Sequence, residues 1–237
     1  MTVYTQLWRL FMADLPTKGR VATLAILTGG IVLIAWAVAR TSPEEPVEDA
    51  VLMLTNVGLA LVVPLVSLVF ATGSLGNLRE DKTLVHVWFT PIATWIVPAA
   101  ALVASATIAI PPIVVSMGLA AAVFGTGAQL ILATVATALL AAVAYCSLFT
   151  LLGVLLRRSL LWGLGYVLIW EGIVAGAGTT AARLSIRVYS TSLLNHLNDL
   201  EPPSPSNSAV AALLVLAGIT TAAFAINVRT YRRLAVE

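Results

Sequence analysis

Two groups of residues carry what chemistry this sequence offers. The first lies between Ser74 and Pro91, where Arg79, Glu80, Asp81 and Lys82 stand back to back between apolar blocks. Asn77 and Glu80 have capping-box spacing, with Asn77 as the N-cap and Glu80 reaching back. Glu80 and Asp81 then fall in the first helical turn, where the helix dipole favours carboxylates. Leu78, Val85 and Trp88 share one face. This pattern predicts a short amphipathic helix over about 76–88 that offers Glu80, Asp81 and Lys82 to a partner protein; the other reading is an ordinary charged loop. The second group is Glu171, the one ionisable residue inside its apolar run, ~20 Å along a helix from Arg158. A carboxylate in hydrocarbon is costly, so such a residue faces a cavity or a partner. Glu171 is therefore either a gate or pathway residue, or a protonated glutamate bonded to a neighbouring helix. Pro64, with Ser67 one turn on, is a third candidate. A proline inside an apolar helix kinks it and frees a carbonyl that a nearby hydroxyl can satisfy. Such a kink serves a pathway as readily as it serves plain packing.

Other chemistries are excluded by what the chain lacks. There is no G-x-x-x-x-G-K-[ST] loop to cradle ATP phosphates, and no H-E-x-x-H or G-x-S-x-G. His86 and His196 fall on opposite faces of the predicted topology, which excludes a shared metal site. The basic clusters are small, so nucleic-acid binding has no support. Cys146 is the single cysteine, so no intrachain disulfide forms, and it reads as a small core residue. The chain is expected to be non-catalytic and to bind no cofactor itself.

The elements that position these residues are apolar. Of 237 residues 59% are hydrophobic and 10% charged, against about 25% charged in soluble domains. Runs of roughly 20 apolar residues are long enough to cross a bilayer as helices. About six such spans are predicted within a single transmembrane domain covering 1–237: 21–39, 50–73, 92–123, 128–156, 160–177 and 208–228. No period-2 alternation suggests a barrel. The first run is longer than the apolar core of a signal peptide, so it reads as a retained span. With the N-terminus inside, all but Arg40, Arg183 and Arg187 of the 13 basic residues lie on the cytoplasmic side, which puts both termini there.

Amphipathic pieces complete the layout. Val3, Tyr4, Leu7, Trp8, Phe11 and Leu15 share a helical face, so 2–18 reads as an interfacial helix or else as a frayed tail. Pro98, Pro111 and Pro112 predict a tilt or a break in 92–123, and 124–127 a reversal. Gly172 and Gly176 form a GxxxG pair suited to close helix contact, including a dimer contact. In 178–207, Ile186, Tyr189, Leu193, Leu197 and Leu200 recur at helical spacing, an outer interfacial or re-entrant helix. Ser208 is placed to cap the last span.

This sequence resembles the membrane subunits of ABC exporters of the ABC type-2 permease family. Glu80-Asp81-Lys82-Thr83-Leu84, followed by Thr90-Pro91-Ile92, is similar to the family motif, with Lys82 where the family has glycine. Arg157-Arg158-Ser159, Trp170-Glu171 and Leu184-Ser185 also resemble small permeases of this kind. The resemblance implies an all-α integral membrane protein with an N-terminal interfacial helix, about six transmembrane helices, a cytoplasmic coupling helix between the second and third, and outer re-entrant helices after the fifth. It implies that Asn77, Arg79, Glu80, Asp81, Lys82, Thr83 and Leu84 couple the chain to a separate ATP-binding subunit that holds ATP and Mg. It also implies a second permease subunit, identical or not, and outward movement of a hydrophobic or amphipathic substrate across a cytoplasmic membrane. The Ala-, Val- and Arg-rich composition suggests a GC-rich bacterium. Two other readings stand beside it: a haem-exporter-type membrane subunit, and a stand-alone secondary carrier or membrane scaffold. The long outer segment argues against the former, and the single carboxylate against the latter.

Overall fold

A computed structural model describes residues 3–41, 46–80, 93–174, 182, 184–200 and 208–234. Among them every regular element is helical. In chain order these are α1 (Val3–Asp14), α2 (Lys18–Thr41), α3 (Pro46–Met53), a π-helical stretch π1 (Leu54–Val62) and α4 (Val63–Glu80). Then follow α5 (Ile96–Val123), α6 (Ala128–Leu155), α7 (Ser159–Gly165), a second π-helical stretch π2 (Tyr166–Val174), α8 (Ile186–Leu197) and α9 (Ala209–Leu234). Among the described residues five helices are long and apolar enough to cross a membrane: Lys18–Thr41, Val47–Gly76, Ile96–Val123, Ala128–Leu155 and Ala209–Arg233. Ser159–Ile173 is apolar but shorter.

α6 is the axis of the bundle. It packs against α4, α5, α7, α8 and α9, and most of its length is buried. Ala133, Ala138, Ala141, Ala142 and Ala144 let those neighbours come close; between helices already in lipid, small residues at the contact are what favour association. The tightest approach is to α4. A Cβ on Gly153 would lie 3.1 Å from the Thr72 carbonyl oxygen and 3.3 Å from the Gly76 nitrogen. Ser147 Oγ donates to the Thr220 carbonyl at 2.9 Å, tying α6 to α9. By contrast α2 presents Ile26, Leu33 and Trp36 outward. A helix apolar on all sides yet little covered by protein has lipid as its solvent.

One end of the bundle gathers the basic residues. Arg20, at the start of α2, lies flat on α4: a Cβ on Gly73 would fall 2.5–2.8 Å from its guanidinium atoms. Its Nη1 also donates to the Leu15 carbonyl at 3.3 Å. Ser159 sits against Gly76 at the same end, beside Arg157 and Arg158. At the start of α6 the chain reverses through Phe124–Gly127. Gly125 (φ 67°) and Gly127 (φ 107°) adopt left-handed backbone there, a conformation that suits glycine for want of a Cβ.

Several expectations change. The second apolar helix does not end near residue 73: α4 continues through Asn77 to Glu80. Asn77 is therefore inside a helix, where N–H groups already have carbonyl partners a turn earlier, and is not an N-cap. Residues 81–92, with Asp81, Lys82, Thr83 and Leu84, lie outside the described residues. α5 runs unbroken through Pro111 and Pro112. Pro64 is preceded by π1 rather than by α-helix, and the Val63 N–H bonds the Gly58 carbonyl five residues back. Wider winding eases the clash between a proline ring and the carbonyl four residues earlier. The apolar face read for α1 is present as a helix face: Phe11 and Leu15 are buried, and Tyr4, Leu7 and Trp8 pack against the core beside α5.

Candidate functional site

The polar centre of the bundle is built on Glu171, which π2 carries and which is only 1% exposed. Tyr166, five residues earlier, donates its hydroxyl to Oε1 at 2.8 Å. Residues five apart stand on different faces of an α-helix, and the π winding of this stretch brings them together. The other partners come from α8. Ile186 N donates to Oε1 at 3.1 Å, Arg187 N to Oε2 at 3.3 Å, and Ser185 Oγ to Oε2. Ser185 is also the N-cap of α8, accepting from Val188 N at 3.1 Å. Each carboxylate oxygen thus accepts two hydrogen bonds, at the positive end of a helix dipole. This arrangement stabilises a carboxylate out of water without a salt bridge.

Arg187 widens the cluster. Its Nη1 donates to the Glu171 carbonyl at 3.4 Å and its Nη2 to Asn56 Oδ1 at 3.1 Å. Asn56 belongs to π1, so one side chain links the two π-helical stretches through the start of α8. Aromatic rings close the cluster on its α6 side. Tyr145 stacks on Phe149 (centroids 5.7 Å apart), and Phe149 meets the edge of Tyr166 at 6.2 Å.

α8 is fixed at its other end too. Gln129 Nε2, at the start of α6, donates to the Leu197 carbonyl at 2.9 Å and to Asp199 Oδ2 at 3.4 Å. Tyr145, within electrostatic reach of Glu171, lies about 24 Å along α6 from Gln129 by the helical rise. α8 is therefore a half-length helix that runs from the end of the bundle into its interior, with its N-terminus deep among the other helices. Ile186, Tyr189, Leu193 and Leu194 are buried along it.

Of the residues singled out in the sequence, Glu171 lies at this centre. Pro64 is buried directly after π1, and Ser67 is buried beside the Cys146 thiol. Neither is among the hydrogen-bond partners of Glu171. The backbone of Asn77, Arg79 and Glu80 forms the last turn of α4, well away from this cluster. Gly172 is exposed and a Cβ there would meet nothing closer than its own helix, whereas Gly153 and Gly76 make the close contact. Asn56, Tyr145, Tyr166, Ser185 and Arg187 were not foreseen as members of one site. A serine directly before a helical pattern is a cap signal that could have found Ser185; nothing in the sequence pointed to its use by Glu171.

No family model matches this chain, and no curated protein matches it either. Among the described residues every element is helical, and five of the helices have the length and apolar composition of membrane spans, as an all-α membrane protein has.

Proposed function

We propose that this chain is the permease subunit of an ATP-driven ABC exporter with six spans and both termini in the cytoplasm. The observation that carries the reading is α8. A short apolar helix (α7–π2) leads into a half-length helix turned back into the bundle and held there by Glu171. That is the layout expected of a fifth span followed by an outer re-entrant helix. The gathering of Arg20, Arg157 and Arg158 at the opposite end supports a cytoplasmic assignment for that end.

In this reading α4 is the working part. It is a continuous helix from Val63 to Glu80, about 26 Å long by its rise. Its last turn enters the charged stretch Arg79–Lys82, which faces the ATP-binding partner. Arg20 over Gly73 and the Gly76–Gly153 contact brace it laterally. A push on the charged end travels along the rod to π1, where Asn56 meets Arg187 and, through it, Glu171. Closure of the ATP-binding subunits then biases two arrangements of the π1–α8–π2 cluster, and substrate leaves outward between two permease copies. Glu171 acts in it as the element that locks or releases α8.

The test is purification in mild detergent of the chain produced with its candidate ATP-binding partner. An ATPase subunit recovered in stoichiometric amount, and lost when 76–88 is replaced by a neutral linker, is the expected result. Purification as a chain alone, with transport intact, would sink the reading.

A further inference from the structure

The turn between α6 and α7 brings charge and apolar surface together on the outside of the bundle. α6 has 28 residues and so rises about 42 Å, which matches a bilayer with its headgroups. Arg157 and Arg158 follow its last turn and stand at headgroup level. Both are exposed, and neither side chain has an ion pair or hydrogen bond among the described residues. The chain then turns back along the bundle as α7.

One face of that chain is already taken. Ser159 lies on Gly76, and Gly163 lies on Leu68 with no room for a Cβ. Val167 and Glu171 continue the same face and are both 1% exposed. Residues four apart form one stripe on a helix, so this stripe fixes which side looks out. Leu161 (59% exposed), Trp162 (65% exposed), Leu168 and Ile169 face outward. Gly165 lies among them, and a Cβ there would meet nothing within 4 Å. Trp162 stands one turn from Arg158, its backbone N donating to the Arg158 carbonyl at 3.2 Å. Along the outer surface the order is two guanidinium groups, an indole and an apolar track. A phospholipid has the same order of charged head, interface and hydrocarbon, and indoles favour the middle layer.

We propose that Arg157, Arg158 and the outward face of α7 form a binding site for an anionic phospholipid. Its phosphate accepts from the two guanidinium groups, and an acyl chain lies along Leu161, Gly165 and Leu168. Guanidinium groups grip phosphate oxygens as a fork. Charge complementarity selects the lipid. A zwitterionic headgroup sets its own ammonium beside the phosphate, whereas a net negative one meets two cations unopposed, and each adds to the attraction. The end of α9 makes the contrast. Arg232 and Arg233 are an equally exposed pair, but Tyr231 beside them is buried and α9 has no tryptophan. The proposal rests on the membrane setting of these helices and not on the export reading.

Quenching of tryptophan fluorescence by brominated lipid tests it, on the full chain in bilayers of one part phosphatidylglycerol to four of phosphatidylcholine. Bromine is placed on the acyl chains of one lipid or the other, and the share due to Trp162 is the difference from Trp162→Phe. Per mole of brominated lipid, that share is expected to be several-fold larger for phosphatidylglycerol. Arg157→Gln with Arg158→Gln should bring the two lipids level. Arg232→Gln with Arg233→Gln, the same loss of charge, should leave the preference standing. Equal quenching per mole in the unaltered protein overturns the proposal, whether or not the variants fold. So does an absence of quenching at Trp162 by either lipid, since protein, such as a second copy of this chain, would then cover it. An equal fall in both double variants would show diffuse attraction to basic charge and no site. Loss of the preference on adding inorganic phosphate at constant ionic strength would assign the arginines to a free anion instead.

Discussion

Replacing Glu171 separates its charge from its shape. Glu171→Ala leaves the Tyr166 and Ser185 hydroxyls and two backbone N–H groups of α8 facing nothing. Each orphaned buried donor costs about 1–3 kcal/mol. Glu171→Gln keeps the volume but sets an amide N–H₂ against the Arg187 or Ile186 N–H, so part of the set is lost. The expected order of thermal stability in detergent is wild type, then Gln, then Ala, with Ala lower by several kcal/mol. Equal midpoints for all three would show that α8 does not need the carboxylate. The importance of Glu171 was legible from composition alone, because a lone carboxylate in hydrocarbon demands partners. Which partners was not legible. They lie 14 to 16 residues downstream, beyond a change of chain direction, and only the π winding of Tyr166–Val174 turns Tyr166 toward the same point.

Glycine decides the element contacts. Gly153 meets the backbone of Thr72 and Gly76, and backbone atoms cannot rotate away as a side chain does. Gly153→Ala should therefore force α4 and α6 apart and lower stability, against the usual gain of alanine in a helix. Gly218→Ala on α9, where a Cβ meets nothing within 4 Å, should be neutral or stabilising by up to about 1 kcal/mol. Melting of both variants in one detergent checks the pair, and a stable Gly153→Ala would remove the close contact as a packing requirement. The long apolar runs were readable, since their lengths follow from the thickness of hydrocarbon. Their ends were less so. Asn77-x-x-Glu80 reads as a helix start by local spacing, but a helix already running from Val63 supplies the backbone partners that a cap would supply. Gly172 of the Gly172–Gly176 pair is exposed within this chain and Gly176 lies outside the described residues, while Gly76 and Gly153 lie far apart in sequence and meet only through the fold. Spacing along one helix says nothing of which face a second helix will choose.

At the scale of the molecule, a rod braced on one side and ending in charge at one end is a lever. In the proposed function α4 is that lever: Arg20 and Gly153 hold it, π1 adjoins one end, and its last residues, Arg79 and Glu80, begin the charged sequence at the other. In that reading these charges meet a partner at a solvent-exposed surface, where an ion pair is worth about 0–1 kcal/mol. Removing charge there should separate coupling from folding. Under the proposed function, the double substitution Glu80→Ala with Asp81→Ala is expected to leave membrane insertion, melting midpoint and recovery of the ATP-binding partner near wild type. It should nevertheless return ATP hydrolysis in the lipid-embedded complex to the rate of the partner alone, because the push no longer finds its surface. The salt dependence gives a second handle. If carboxylates meet basic groups of the partner at a solvent-exposed contact, raising ionic strength should weaken stimulation in the wild type and change nothing in the double variant. Undiminished stimulation in the double variant, with the complex intact, would take the coupling role away from Glu80 and Asp81 and leave α4 as a packing element only.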